Sequence, residues 1–344
     1  MPLGQIAFLG SGETSLAGGR VFEALARALP QSLRIAVLET PAGFELNSHQ
    51  VAGRVADFLK TRLANYTPVI DVVSARKRGT PFSPDEAEIV RPLLYADLIF
   101  MGPGSPTYAT RQLKDSLAWE IIRARHRLGA TLAFASAATI SVGAWALPVY
   151  EIYKVGEEVH TKTGLNLFAD YGMQLSFLPH WNNTDGGDDL DTSRCFIGME
   201  RFKKWCQFLP KENTTIGLDE HTGLIIDCAN GMCEVNGVSS VSLVRDCEPK
   251  MYPAGAKFQL SELGELKLPD PLQRGIRPEV WDMVVNAPPL EGVKPSDKVL
   301  ELLELRGQAR ADKQWAESDR LRDQIAAFGW TVQDTKEGQK LVKG

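Results

Sequence analysis

The chain has 344 residues, 38 Lys and Arg against 43 Asp and Glu, a net charge of −5 and 44% hydrophobic residues. That length allows a sizeable core plus a second module. The acidic balance excludes a chain that is basic overall and built to coat nucleic acid. No stretch approaches the ~18 apolar residues of a membrane span, and PLGQIAFLG after Met1 has neither a basic n-region nor a long apolar h-region. A cytoplasmic protein with no membrane partner is expected. The five cysteines, Cys195, Cys206, Cys228, Cys233 and Cys247, have neither CxxC nor zinc-knuckle spacing, so free thiols are expected.

In chain order, QIAFLG (5–10) reads as a buried strand ending in the loop SGET. LRIAVLET (33–40), TPVIDVV (67–73), ADLIFMG (96–102) and TLAFA (131–135) read as four more strands. VFEALARAL and VAGRVADFLKTRL between them have helical spacing. SPDE (83–86) reads as a capping box, with Ser83 as cap, Pro84 at the first helical position and Glu86 reaching back. TYATRQLKDSLAWEIIRARHRLG (107–129) reads as one long helix ending near Gly129. Strands apolar on both faces that alternate with helices predict an α/β protein with a doubly wound, mostly parallel sheet. Ligands in such sheets sit beyond the carboxyl ends of the strands. GSGET, GPGSPT and ASAAT all lie there, so three loops converge on one crevice.

The pattern changes after about residue 215. Asn230-Gly231 and Asn236-Gly237 between short alternating runs predict hairpins, and so an antiparallel extension at the sheet edge. The proline-rich stretch within 246–295 reads as a linker, with one short helix around Trp281 docking back. The expected organisation is an α/β domain over 1–245, this linker, and a small helical module over 296–344. In the module Val299, Leu302 and Leu303 form one apolar stripe. Leu321, Ile325 and Phe328 form another, closed by Gly329.

Ser136 follows the strand TLAFA, either as a small residue in a tight turn or as a nucleophile on a strand-to-helix elbow. A nucleophile needs a base, a group to orient that base and donors for the oxyanion. Among the five histidines, His126 falls in the charged run RARHRLG and reads as part of a solvated helix face. His49 and His160 sit in polar segments. His180 differs, because it emerges at the end of the strand-like run QLSFLP.

The order of GSGET, GPGSPTY, Ser136 after an apolar strand, PHW and IGLDEHTG resembles the S51 serine peptidases. That family includes peptidase E, an aspartyl dipeptidase, and cyanophycinase, within the class I glutamine amidotransferase-like fold. The resemblance covers roughly residues 4–245. It implies Ser136 as nucleophile, His180 as general base and Glu220 as the acid of the triad. Glu151 and Glu157 stay open as rivals, because peptidase E carries its acid between serine and histidine. The oxyanion hole would combine the N–H of Ala137 with one from Gly104 or Ser105. Ser105, Thr107 and Asn182 would touch a small peptide or amide substrate. No cofactor or metal is implied, and a homodimer is expected. A glutamine amidotransferase would need a cysteine at the elbow, and none of the five is there.

The sequence departs from the family in three places. The usual elbow is Gly-Thr-Ser-Ala-Gly-Ala, whereas Phe134 and Ala138 replace its glycines here. Leu178 and Pro179 precede His180 in place of Asp-Gln, which removes support for an arginine-bearing polymer as substrate. The loop WNNTDGGDDLD carries Asp185, Asp188, Asp189 and Asp191 without EF-hand spacing, and reads as a solvated loop rather than a cation site. The last fifty residues resemble the carboxy-terminal end of cysteinyl-tRNA synthetase, through Arg306, Ala309, Arg310, Asp319, Arg322 and Asp334 among others. That implies tRNA or a protein as a partner of the module. The alternative to an enzyme is a catalytically silent adaptor on the same fold.

Overall fold

The computed structural model describes residues 2–268, 275–288, 295–335 and 338–343. Strands β1 (Ile6–Leu9), β2 (Arg34–Leu38), β3 (Val69–Val73), β4 (Leu98–Met101) and β5 (Thr131–Ala135) are those expected from the sequence. The short pair β6 (Trp145–Ala146) and β7 (Lys162–Thr163) follows. Then come β8 (Leu175–Leu178), β9 (Thr214–Leu218), β10 (Thr222–Asp227), β11 (Met232–Gly237), β12 (Ser240–Arg245), β13 (Glu248–Pro253) and β14 (Lys257–Gln259). The helices are α1 (Leu16–Ala26), α2 (Ser48–Arg62), α3 (Ala87–Val90), α4 (Pro106–Leu113), α5 (Leu117–Arg127), α6 (Ala137–Ser141), α7 (Gly198–Cys206) and α8 (Pro278–Val285).

The main sheet has the order β14-β11-β10-β1-β5-β4-β2-β3. Its β1, β5, β4, β2 and β3 run parallel, and β10, β11 and β14 add the antiparallel edge that the Asn-Gly turns predict. Alternate residues of each parallel strand enter opposite cores. Ala7, Val37 and Phe100 pack against Phe22 of α1 and Leu59 of α2. Phe8, Leu38, Ile99 and Phe134 face the other way, toward Ile121 and Ile122 of α5. That second face is also covered by a four-stranded sheet, β13-β12-β9-β8. Phe177 of β8 stacks on Phe8 with centroids 4.0 Å apart. The run QLSFLP is thus a strand of this second sheet, which the sequence pattern does not reveal.

Three expectations are corrected. The single helix over 107–129 is two helices. Asp115 turns left-handed at φ 58, and Ser116 caps α5 by accepting from Trp119 N–H at 3.2 Å. The SPDE capping box does not form on its own helix. Ser83 Oγ accepts from Asp85 N–H at 3.1 Å, while Asp85 Oδ1 and the Pro84 carbonyl take the first N–H groups of α5 at 3.0 and 2.9 Å. Tertiary capping of α5 satisfies donors that its own first turn cannot. His126 is not on a solvated face. It is 1% exposed, its Nδ1 lies 3.2 Å from Ala130 O, and its ring meets Tyr171 edge-on. Burial pushes its pKa down to about 4.

Within 246–295, β13 and β14 pair with the two sheets. The expected helix around Trp281 is α8. Its Val280, Trp281 and Val284 enter the core beside α5, and Arg277 Nε donates to Glu120 Oε2 at 2.8 Å. The module comprises α9 (Asp297–Ala311), α10 (Trp315–Ala327) and the hairpin β15 (Trp330–Thr335) and β16 (Gly338–Lys343). Val299, Leu302, Leu321, Ile325 and Trp330 form its core, with Leu303 and Phe328 half-buried against them. Arg306 is 1% exposed and grips Asp334 with two nitrogens at 2.9 and 3.1 Å.

Candidate active site

β5 ends at Ala135, α6 begins at Ala137, and Ser136 makes the turn between them at φ 50, ψ −118. A non-glycine residue there is strained, and such strain persists only where the surroundings hold it. Phe134 supplies part of that hold. Its ring is fully buried, 5.6 Å from Phe8, and points into the core rather than at the turn. Ala138 N–H donates to Gly102 O at 3.2 Å, which ties the elbow to the GPGSP loop. The elbow therefore forms with Phe134 and Ala138 in the places of the two glycines.

Ser136 Oγ does not cap its own helix. It lies 3.3 Å from His180 Nε2. His180 Nδ1 lies 2.9 Å from Glu220 Oε1. With Nδ1–H donating to the carboxylate, the Nε2 lone pair faces the hydroxyl. His180 follows β8 in a left-handed conformation, φ 52, and its N–H donates to Gly10 O at 3.0 Å. Glu220 sits in the turn between β9 and β10. The GSGET loop braces both groups. A Cβ at Gly10 would collide with the Asp219 carbonyl, and one at Gly12 with the His221 ring.

Two residues that sequence reasoning passed over complete this side. Asn183 is 2% exposed, and its Nδ2 donates to Glu220 Oε1 at 3.0 Å. Phe196 stands 5.2 Å from the His180 ring. It ends a run of three left-handed residues, Arg194, Cys195 and Phe196, with φ of 58, 59 and 69. Burial raises the Glu220 pKa, but hydrogen bonds from Asn183 and His180, with the charges of His180 and His221, outweigh it and hold the carboxyl below its ordinary value. The WNN run itself was the available signal, because asparagines beside a buried strand end commonly satisfy backbone or carboxylate groups.

On the other side of Ser136, Ala137 is the first residue of α6, so its N–H has no intrahelical acceptor. Ser105 N–H is already donated to Pro41 O at 2.9 Å, whereas Gly104 N–H has no backbone acceptor among the described residues. Gly104 has φ 145, and a Cβ there would collide with the Pro41 carbonyl. The loop carrying Pro41 is pinned by Glu39, a carboxylate 2% exposed that sequence reasoning also missed. Glu39 accepts from Ser48, Ser74 and Arg76 at 2.9, 3.0 and 2.6 Å.

The remaining expected site residues divide. Ser105 Oγ caps α4, accepting from Tyr108 N–H at 3.2 Å and lying 3.1 Å from Thr107 Oγ1. Asn182 Oδ1 accepts from the Glu220 N–H at 2.8 Å. Glu151 is 3.5 Å from Lys162, and Glu157 is 3.7 Å from His160, so the structure brings neither rival to His180. In the acidic loop, Asp191 accepts from Ser193 N–H at 2.9 Å and Met199 N–H at 2.7 Å, and the Ser193 side chain together with these bonds lowers its pKa. No cluster of three or more His, Cys, Asp or Glu among the described residues is placed to hold a metal. No helix among them is long and apolar enough to cross a membrane.

The fold is that of a known peptidase structure. The crystal structure of a peptidase from an acI-B1 Actinobacterium superposes with a TM-score of 0.60 at 18% identity, over 75% of this chain and 97% of that one. Residues 296–340 match the family described as the cysteinyl-tRNA ligase anticodon binding domain. A cysteine–tRNA ligase of Pseudomonas putida is 37% identical over 99 residues, 29% of this chain and 20% of its own. That of Pseudomonas entomophila is 54% identical over 48 residues, 14% of this chain and 10% of its own. The chain spans a fifth or less of the length of these curated relatives. It joins a peptidase-like α/β fold to a segment of the anticodon-binding-domain type.

Proposed function

We propose that this protein is a serine hydrolase of the S51 type, cleaving a peptide or related amide bond. The observation that carries the proposal is the hydrogen-bonded series Ser136, His180, Glu220, with the serine on a strained elbow. His180 Nε2 takes the Ser136 proton as Oγ attacks the substrate carbonyl carbon. The N–H groups of Ala137 and Gly104 hold the oxyanion. His180 then returns the proton to the leaving amine, and water activated by the same imidazole hydrolyses the acyl-enzyme. Glu220 keeps the imidazole in the required tautomer and offsets its charge. Thr107, half-buried at the start of α4, is the residue assigned to substrate contact. Ser105 and Asn182 act by holding Gly104 and Glu220 in place. A fluorophosphonate probe tests the reading on the full chain. Ser136 should be labelled, and the Ser136→Ala variant should not be. Absence of labelling in folded wild type would favour the catalytically silent adaptor instead.

A second reading concerns the module, where the family match over 296–340 supports contact with tRNA. Its surface charge is largely compensated from within. Lys298, Arg310, Arg320 and Arg322 each pair with a carboxylate of the module. Acidic and basic residues of the module are nearly balanced, so any RNA affinity should be modest and only weakly salt-dependent. A protein surface would suffer no such penalty.

A further inference from the structure

We infer that Asn183 is a positioning residue of the hydrolytic site, a clamp that holds the Glu220 carboxylate in line with His180. The inference rests on the hydrolase reading and adds a fourth member to the triad.

Asn183 is tied to both partners. Its backbone N–H donates to the His180 carbonyl at 3.2 Å, closing a turn over 180–183. Its side-chain Nδ2 donates to Glu220 Oε1 at 3.0 Å, the oxygen that faces His180 Nδ1 at 2.9 Å. Its own Oδ1 accepts from Asp185 N–H at 3.1 Å, which fixes the amide and aims Nδ2 at the carboxylate. The ring from His180 through Asn183 to Glu220 and back is therefore closed by hydrogen bonds at every joint. Asn182 grips the same residue from behind, through the Glu220 N–H. Glu220 follows β9 and precedes β10 in a turn, where a carboxylate has several rotamers to choose from. Two asparagines at opposite ends remove that choice.

The ionisable groups around Glu220 are few. His180 and His221 favour its charge, and the buried Cys195 thiol lies nearby. Asp219, its chain neighbour, is occupied by Ser239 and Ser240. Asn183 is thus the neutral donor that shares the oxygen used by the imidazole.

Two variants separate a clamp from a mere turn former. Asn183→Asp keeps the acceptor for Asp185 N–H, and so the turn, but replaces the Nδ2 donor with an oxygen facing a carboxylate. Asn183→Ala removes both bonds. The readout is the rate of fluorophosphonate labelling of Ser136 in the full chain as a function of pH. Labelling at neutral pH should fall about 10-fold in N183A and about 100-fold in N183D, because the second variant adds like-charge repulsion to a lost charge-assisted bond. The acid limb should move to higher pH in both, and further in N183D. A lost donor raises the Glu220 pKa, and a second carboxylate beside it raises it further.

The clamp is overturned if N183D labels at least as fast as N183A, or if the acid limbs coincide with wild type. If wild type is not labelled at all, the hydrolase reading fails by itself, and NMR of the His180 imidazole decides the clamp. A downfield Nδ1–H resonance present in wild type and lost in N183D supports it. The same resonance in both excludes it.

Discussion

At the scale of single residues, identity and position divide the work. Ser136 is ordinary by composition. The role proposed for it rests on φ 50 at a turn between a buried strand and a short helix, 3.3 Å from an imidazole. If the proposed hydrolysis holds, Ser136→Ala should lower turnover ~10⁴-fold or more while leaving the melting temperature almost unchanged, measured on any amide substrate found for the protein. His126 gives a stability prediction of known sign. Burial depresses its folded-state pKa to about 4, below the ordinary ~6.5. The unfolded chain therefore takes up the proton first as pH falls. The stability linked to the neutral ring is present above about pH 6.5 and is lost progressively toward pH 4, by roughly 3 kcal/mol. His126→Leu should flatten the dependence of melting temperature on pH across that window.

Elements carry the next layer. Most strands of the parallel sheet were legible because they are apolar on both faces, and a strand with that property has one place to go. The break between α4 and α5 was not, since the helical spacing of 107–129 runs through it. Asp115 turns left-handed and Ser116 caps α5, while Pro84 and Asp85 from another loop take the first N–H groups of α5. The same logic bears on the proposed oxyanion donor. Two residues of GPGSP had the right chemistry, and the Pro41 carbonyl decides between them by occupying Ser105 N–H. Gly104→Ala should collide with that carbonyl in a left-handed conformation. Its expected effect is a lower melting temperature together with a 10²- to 10³-fold loss of turnover, the magnitude of one misplaced oxyanion donor.

For the whole molecule, the question is how far the two parts depend on each other. The module has its own core and a buried arginine, Arg306, that pairs with the exposed Asp334. Truncating the fully buried Arg306 side chain removes its packed stem and leaves a cavity in the module, a change of about 2–5 kcal/mol. Arg306→Ala should therefore unfold the module alone. Calorimetry of the full chain should show a lost or lowered transition with the α/β transition kept. Filter binding of tRNA to the full chain should give a shallow salt slope, given the near balance of acidic and basic residues in the module. A steep slope would instead mark a phosphate-binding face.

What the sequence determined by itself was the parallel α/β sheet, the loops that gather at its carboxyl edge with Ser136 and His180 among their residues, and a synthetase-like end. Those features rest on periodicity and on motifs a few residues long, which survive without knowledge of neighbours. Tertiary structure alone decided that Glu220 meets His180 while Glu151 and Glu157 bond elsewhere, that His126 is buried, and that Asn183 and Glu39 brace the site. Each of those depends on side chains distant in sequence competing for one hydrogen bond or one volume, and no local pattern records the outcome of that competition.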